Sequence, residues 1–248
     1  MNTIRVMTYQ VDGCCGRDGR IDAQRVLEVI ANGAADLVAL QGVDGERTDQ
    51  GRWFGEQLGM SCHMRPSRCG NAFLSYLPLR GVRDFDLGGG GVCQRADLEI
   101  DGKRVHLFNV ALKQNPLLRR LQISRLLGPD LLGSRDLVCP TMVLGDYADF
   151  WWGPGNLNLA MALRQAPRPL WHATYPAFFP LFGQDRAYLR GEVKIVESSV
   201  MRQRPARQAS SHLPMILTIQ VNDPRKYLRQ QEPGRRRLTL PASEPICS

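Results

Sequence analysis

Two carboxylates follow a short apolar run in the middle of the chain. Residues 142–144 are Met, Val and Leu, Gly145 interrupts the run, and Asp146 and Asp149 come directly after it. Carboxylates at the end of a buried strand are suited to hold a metal ion or to move a proton. Ala148 lies between them and carries no polar side-chain atom. The stretch therefore indicates either an active site or the remnant of one.

A cluster of arginines occurs later in the chain, in the sequence MRQRPARQ at 201–208. Arg202, Arg204 and Arg207 stand directly before a Ser-Ser-His sequence. Guanidinium groups bind phosphate in a bidentate manner without needing a metal ion. We therefore predict that these arginines bind a phosphate-bearing substrate or ligand. The alternative is that they form a solvated basic loop.

The composition is that of a folded protein with a surplus of positive charge. The chain has 248 residues, of which 43% are hydrophobic and 23% are charged, and its formal net charge is +8. This length suits one large α/β or two-sheet domain, or two small ones. The charge favours acidic partners such as nucleic acid, phospholipid headgroups or phosphorylated small molecules, or else reflects a generally basic surface.

The cysteines and the hydropathy pattern indicate a soluble, cytoplasmic protein. Seven cysteines form no CxxC pair and no Cys/His zinc spacing, and Cys14 and Cys15 are adjacent. Reduced thiols are the simpler interpretation. No apolar run approaches the ~20 residues that span a bilayer, and the N-terminus is typical of a strand rather than of a targeting segment.

The elements that must position these side chains begin with a β-α-β pattern. Residues 3–11 alternate as in a strand, a helix is predicted from Asp22 to Gly33, and residues 36–43 form a buried strand. This start favours an α/β protein.

The rest of the chain reads as mixed strands and helices followed by a polar tail. Four runs predict an antiparallel meander, a helix follows, and four further strands close the domain, with GGGG at 88–91 as a flexible loop. The tail is basic and without apolar period, so we predict that it is disordered. The runs of the predicted meander are 71–77, 82–87, 95–100 and 104–112, and the predicted helix is 115–132. The later predicted strands are 138–145, 184–191, 192–200 and 212–221. The predicted domain is therefore 1–222, and the predicted tail is 223–248.

Seven short stretches follow one another along the chain: MTYQVDG, LVALQGVD, GNAFLS, LFNVAL, VLGDYAD, QDRAYL and SSHLP. In this order, they together resemble the endonuclease/exonuclease/phosphatase family, the deoxyribonuclease I-like phosphodiesterases, and the resemblance covers about residues 3–221. It implies a four-layer sandwich of two mixed β-sheets flanked by helices, with the active site at one end of the sheets.

The resemblance implies eight site positions, and only three of them match. Asp146, Asp185 and His212 match, and in relatives Asp185 holds the histidine in place. The family's metal-placing Asn, its Mg²⁺-binding Glu, its phosphate-binding His, the Asn of Gly-Asp-x-Asn and the Asp of Ser-Asp-His are replaced. Their replacements are Gln10, Gly42, Ala111, Ala148 and Ser211.

The replacements remove metal and phosphate ligands rather than proton-handling groups. Mg²⁺ is normally held by hard oxygen ligands that include carboxylates. Gly42 supplies none, and Ser211 supplies only a hydroxyl. Loss of one charge-stabilising donor can lower a rate by ~10²–10³. We therefore predict a degenerate site with no metal and no cofactor, in a pseudoenzyme that binds a phosphorylated ligand, nucleic acid or a protein partner.

Two alternatives remain open at this stage. The first is an active, divergent metal-dependent phosphodiesterase or nuclease that uses Asp146, Asp185 and His212 with Mg²⁺. The second is a basic adaptor that acts through its tail.

Two further groups of side chains are candidates for binding. Asp12, Asp44 and Glu46 lie in the loops after the first two strands and could hold a displaced cation, or they are solvated loop residues. Trp151 and Trp152 could stack a base, or they pack at the rim of the core.

Overall fold

The computed structural model describes residues 3–67, 69–149, 154–169 and 171–221. Trp151, Trp152 and the predicted tail 223–248 lie outside the described residues. In the described part, twelve strands form two six-stranded sheets.

The first sheet is built from both ends of the chain. Its order is β11-β12-β1-β2-β4-β3, and β1 pairs parallel to β2 and antiparallel to β12. The first sheet is therefore mixed. Its strands are β1 (Thr3–Gln10), β2 (Leu37–Val43), β3 (Ser61–Met64), β4 (Gly70–Ser75), β11 (Val193–Val200) and β12 (Met215–Val221).

The second sheet comes from the middle of the chain. Its order is β5-β6-β7-β8-β10-β9, with β7 and β8 parallel and the other neighbours antiparallel. Each sheet therefore contains one parallel pair. The strands are β5 (Leu79–Gly88), β6 (Gly91–Ile100), β7 (Lys103–Ala111), β8 (Thr141–Asp146), β9 (Arg164–Gln165) and β10 (Asp185–Arg190).

Helices cover the outer face of each sheet. The described helices are α1 (Ala23–Gly33), α2 (Gln50–Leu58), α3 (Pro116–Leu126), α4 (Pro154–Ala162) and α5 (Arg204–Ala209). Three apolar clusters separate the layers: one between the sheets, one under α1, α2 and α5, and one under α3 and α4. This arrangement confirms the predicted four-layer sandwich of two mixed sheets.

The first helix forms for the reasons that the sequence indicates. The Asp22 side chain caps it by accepting a hydrogen bond from the Arg25 backbone N–H at 3.2 Å. Val26, Val29 and Ile30 lie on one face and are buried against the first sheet. The helix ends where Ala34 adopts a left-handed conformation.

The predicted meander is wrong at its first member. Residues 71–77 contribute to β4, which pairs with β2 and β3 in the first sheet, so only β5, β6 and β7 form the meander. All six residues of β4 are buried. A strand that is buried on both faces is typical of the interior of a sheet. The spacing of turns along the sequence does not show which sheet a strand joins.

Other boundaries also differ from the sequence-based prediction. The helix predicted to reach residue 132 ends at Leu126, where Gly128 and Pro129 follow. The strand predicted from residue 138 begins at Thr141, directly after Pro140. Helices α2, α4 and α5 and strand β3 were not predicted. The 88–91 glycines form the tight turn between β5 and β6.

Within the described ranges, no helix combines the length and the apolar character that crossing a membrane requires.

Candidate active site

The strand ends of both sheets bring three buried ionisable side chains together. Asp146 ends β8, Asp185 begins β10 directly opposite it, and His212 lies in the loop before β12. One carboxylate oxygen from each Asp and one imidazole nitrogen all lie within 4.8 Å of one another. We call these three side chains the acid–base cluster. The structure thus brings together residues that the family resemblance singled out across 67 positions of sequence.

His212 is held as a buried cation. Its Nδ1 lies 2.9 Å from Oδ2 of Asp185. Burial lowers the pKa of His212, but the charge of Asp185, the hydrogen bond to it and the charge of Asp146 outweigh burial and raise the pKa to about 9. The imidazole is therefore protonated at neutral pH, and it can donate a proton to a bound oxygen.

Asp146 is a weaker acid than an ordinary carboxyl group, because its pKa is raised. Burial raises the pKa of Asp146 to about 6, with a further increase from the charge of Asp185, while His212 opposes the increase. Its Oδ1 accepts a hydrogen bond from the Ala148 backbone N–H at 2.8 Å. The pair Asp146 and His212 can therefore exchange protons with a bound group near neutral pH.

Asp12 adds a further carboxylate beside the cluster. Its Oδ2 accepts hydrogen bonds from the Ser210 hydroxyl at 3.2 Å, from the Ser211 N–H at 3.2 Å, and from the Ser211 hydroxyl. Its negative charge raises the pKa of both Asp146 and His212. Asp12 thus lies next to Ser211, where the resemblance implies a carboxylate in relatives.

Asp44 and Glu46 do not form a cation site together with Asp12 in the described ranges. The Asp44 Oδ1 accepts hydrogen bonds from the backbone N–H groups of Glu46 and Arg47 and so closes its own turn. In the described ranges, these acidic residues do not form one of the groups able to hold a cation, whereas the acid–base cluster does. The displaced-cation interpretation of Asp12, Asp44 and Glu46 therefore gains no support.

The carboxyl-terminal ends of the neighbouring strands β1 and β2, where Gln10 and Gly42 lie, do not fit the family's metal ion. We call this place the β1–β2 edge. Gly42 has φ +67°, a conformation that favours glycine, and a Cβ there would lie 2.4 Å from Gln10 Oε1. The Gln10 amide oxygen is buried and finds no hydrogen-bond partner within the described part of the chain. The Gln10 side chain thus occupies the space into which a glutamate at position 42 would project.

The acid–base cluster has a donor set that could hold a cation. Two carboxylate oxygens and an imidazole nitrogen suit several divalent metals. The Asp185 Oδ2 and the His212 Nδ1 are already bonded to each other, however. A cation there would have to use the remaining oxygens and Nε2.

The two alanines at family donor positions lie close to Asp146. Ala111 is the register partner of Asp146 in the parallel β7–β8 pair. Ala148 has φ +47° and is buried, and only its backbone N–H contacts Asp146. Neither side chain can donate to a phosphate oxygen.

Asp149 serves the structure rather than the site. It is buried and paired with Arg119 at 3.2 Å and Arg186 at 3.3 Å, and Asn156 Nδ2 donates to it at 2.7 Å. A carboxylate with these partners is satisfied where it lies. Of the two carboxylates that follow the apolar run, only Asp146 faces the cluster.

Two of the three predicted phosphate-binding arginines line a groove of about 560 Å³. We call it the arginine groove, and its lining is Arg17, Asp18, Arg25, Phe178, Arg204, Arg207 and Gln208. Arg202 is instead committed to the backbone carbonyls of Trp171 and Ala173. One hydrogen bond links the neighbouring residues of the groove and the cluster: the backbone N–H of Ala177, next to Phe178, donates to the carbonyl of Ser211, next to His212, at 2.7 Å.

Three buried amides below the site join the two sheets. Gln41 Nε2 on β2 lies 2.7 Å from Asn109 Oδ1 on β7, and Asn109 Nδ2 donates to the carbonyls of Leu40 and Ala72. Asn71 Nδ2 in turn donates to the Asn109 carbonyl at 2.8 Å. Sequence reasoning assigned no role to these amides. In the sequence, these amides are distinguished only by being polar residues within otherwise apolar strands.

Comparison with known proteins shows which fold this architecture matches. No protein-family model matches this sequence, and no curated protein does. Solved structures do match, and the two mixed sheets with flanking helices are the fold of the endonuclease/exonuclease/phosphatase proteins. This confirms the expected deoxyribonuclease I-like architecture.

Individual structures share this fold at low sequence identity. An endonuclease/exonuclease/phosphatase from Bacteroides vulgatus has a TM-score of 0.75 at 14% identity, covering 89% of this chain and 100% of that one. A mannosyl-6-phosphatase from Bacteroides thetaiotaomicron has a TM-score of 0.74 at 14% identity, covering 88% and 99%. A protein from Beutenbergia cavernae has a TM-score of 0.69 at 18% identity, covering 89% and 72%.

Proposed function

We propose that this protein is a pseudoenzyme with the phosphodiesterase fold, which binds phosphate-bearing ligands and does not hydrolyse them by the family's Mg²⁺-dependent route. The observation that carries the proposal is the β1–β2 edge. There, Gly42 supplies no side chain to bind a metal ion, and the Gln10 amide oxygen lies in the space that a side chain at position 42 would enter.

The electrostatics favour phosphate binding beside the acid–base cluster rather than within it. Asp12, Asp146 and Asp185 surround a single imidazolium, so the cluster carries more negative than positive charge. An anion would be repelled there unless a cation accompanied it. The arginine groove has the opposite balance, because four arginines face one carboxylate, and Asp18 is already paired with Arg25 at 2.9 Å.

The metal part of the proposal is tested by rebuilding the edge. We expect the wild-type protein to show no calorimetric heat with Mg²⁺ or Mn²⁺ at millimolar concentration. The double variant Gln10→Asn/Gly42→Glu should bind Mg²⁺, because it clears the space and supplies the carboxylate. The matched control is Gln10→Asn/Gly42→Gln, which has the same size without the charge. Tight Mg²⁺ binding by the wild type would contradict the proposal.

The ligand part is tested with a fluorescent single-stranded oligonucleotide and with inorganic pyrophosphate as competitor. We expect metal-independent binding that weakens as salt rises, because charge attraction is screened beyond ~10 Å at 0.1 M salt. The variant Arg204→Glu/Arg207→Glu should lose this binding. Arg52→Glu/Arg80→Glu makes the same charge change at exposed arginines elsewhere and should keep most of it. Equal affinity of the two variants would remove the groove from the proposal.

A second candidate is a divergent, active phosphodiesterase. The intact geometry of the acid–base cluster favours it, since a protonated His212 held by Asp185 can act as a general acid on a leaving oxygen. The divergent enzyme requires phosphodiester turnover that disappears in His212→Ala and persists in Arg204→Glu. The pseudoenzyme predicts no turnover in any of the three proteins.

A further inference from the structure

A short segment beside the site exposes an unusual amount of apolar surface. Of the twelve large apolar side chains that are most exposed in the described ranges, four lie between positions 171 and 181. They are Trp171, Phe178, Phe179 and Leu181, which are 79%, 49%, 62% and 60% exposed. Scattered single apolar residues are normal on a surface, but a cluster of this kind marks an interaction site.

The segment is hydrogen-bonded to the loop that carries Ser211 and His212. Tyr175 and Phe182 form a bridge, with hydrogen bonds of 3.0 Å and 2.8 Å between their backbones, so that residues 176–181 project as a tight loop. The Ala177 N–H donates to Ser211 O at 2.7 Å, and the Leu213 N–H donates to Thr174 O at 2.8 Å. We call Phe178, Phe179 and Leu181 the apolar tip.

Arginines lie next to the apolar tip and Trp171. The Arg17 guanidinium lies over the Phe178 ring, 4.3 Å from its centroid. Arg202 donates to the carbonyls of Trp171 and Ala173, and Arg207 donates to the Arg202 carbonyl. Arg204 and Arg207 share the groove with Phe178. The apolar side chains therefore project from a basic rim.

We propose that this face docks on an anionic lipid surface, with the apolar tip and Trp171 entering the headgroup layer and the arginines contacting lipid phosphates. Amphipathic Trp, together with Phe and Leu, gains free energy at the boundary of headgroups and acyl chains. Arginines at the surface add electrostatic attraction to anionic lipids. A partner without negative charge would leave the basic rim unmatched, and a polar polyanion would leave the apolar tip in water.

Docking of this kind would bring the loop that carries Ser211 and His212 close to the lipid headgroups. It does not depend on whether the arginine groove binds soluble phosphate, because the apolar side chains supply their own contribution. The two proposals can therefore fail separately.

The test uses the full chain and sedimentation with vesicles of phosphatidylcholine, alone or mixed with phosphatidylglycerol. We expect binding to the mixed vesicles only. The variant Phe179→Ser/Leu181→Ser should bind roughly tenfold more weakly or worse, because both apolar contacts with the lipid are lost. The control Val138→Ser/Met161→Ser removes two equally exposed apolar side chains elsewhere and should bind as wild type. All these proteins keep every arginine and the same C-terminal segment.

A second measurement reports insertion directly. Tryptophan emission, to which four tryptophans contribute, should shift to the blue with mixed vesicles and be quenched by lipids brominated on their acyl chains, and both effects should depend on Trp171. The blue shift should be lost in Trp171→Phe. Equal vesicle binding by the tip and control variants would overturn the proposal, and so would an unquenched Trp171. Self-association that depends on Phe179, without vesicle binding, would also overturn it and make this face an interface between copies of the chain.

Discussion

The acid–base cluster and the β1–β2 edge lie at the same end of the molecule but differ in what holds them. In the cluster, Asp185 and His212 are buried and pair as opposite charges through Asp185 Oδ2, while Asp185 Oδ1 has no hydrogen-bond partner in the described residues. At the edge, the uncharged Gln10 side chain occupies the space beside Gly42, and its amide oxygen also has no partner there.

The difference indicates which side chains at this end of the fold can be exchanged at little cost in stability. Removing one member of a buried charge pair leaves the other uncompensated, which costs several kcal/mol. A metal ligand at the rim has no such partner in the folded apoprotein, so its replacement costs little stability. Retention of the acid–base cluster is therefore expected on structural grounds alone, whether or not it performs chemistry.

The largest effect should come from breaking the cluster. We expect Asp185→Ala to lower the free energy of unfolding by about 4 kcal/mol, because it leaves the buried His212 imidazolium without its closest counter-charge. Urea denaturation measures the loss. Asp185→Asn keeps the shape and should cost less. A loss below about 1 kcal/mol for Asp185→Ala would show that the cluster is not needed for stability.

The cluster should also make stability depend on pH. The folded pKa of His212, about 9, lies above the ordinary imidazole value of 6.5. Its contribution is fully present below pH 6.5 and is lost as the pH rises through 9, and its size is about 3 kcal/mol. Asp146 acts in the opposite direction: its raised pKa costs stability above pH 6, a cost that fades as the pH falls towards 3.8.

The pH effect is measured as the difference in unfolding free energy between wild type and His212→Gln from pH 6 to pH 10. The difference should shrink across this range. A difference that stays constant would mean that His212 is neutral in the folded protein.

A smaller effect is expected at the β1–β2 edge. Gly42→Ala should cost about 2 kcal/mol, partly from the left-handed backbone and partly from the overlap with Gln10 Oε1. In a Gln10→Ala background, the overlap disappears and the same change should cost about 1 kcal/mol. A double-mutant cycle on thermal or urea unfolding gives the coupling. No coupling would mean that the Gln10 side chain does not fill this space.

The smallest effect should come from the contact between Asp12 and Ser211. Ser211→Ala removes one hydrogen bond to the Asp12 carboxylate, which retains the Ser211 N–H and the Ser210 hydroxyl. We expect a loss of about 1 kcal/mol in unfolding free energy. Ser134→Ala is a control at a surface hydroxyl, which should change stability less. Equal losses would show that the Asp12 contact adds nothing specific.

Much of the fold could be predicted because local pattern and order of motifs agree with the tertiary structure. The strand, capped helix and buried strand at the N-terminus formed as their periodicity predicts. Helix α2 was missed, because QGRWFGEQL contains two glycines and its cap residue makes no side-chain hydrogen bond. Packing of Phe54 against the first sheet, which the sequence does not display, compensates for this weak propensity.

The site was only partly predictable. The family resemblance indicated Asp146, Asp185 and His212, and the structure brings them together. It could not show that Asp12 turns towards Ser211, because that depends on a backbone at φ +50° in the turn after β1. Nor could it show that Gln10 fills the volume beside Gly42. Both facts depend on where the strand ends point, which tertiary packing decides.

The buried amides Gln41, Asn71 and Asn109 have a consequence for how this site could change over time. Apolar faces can slide over each other at modest cost, but the hydrogen bonds among these amides form in only one alignment of the two sheets. Shifting one sheet against the other would break them, so the positions of the strand ends are tied to this alignment. A change in the chemistry of the site is therefore expected to come from side-chain substitutions, and each substitution is constrained by the neighbour that already occupies its volume.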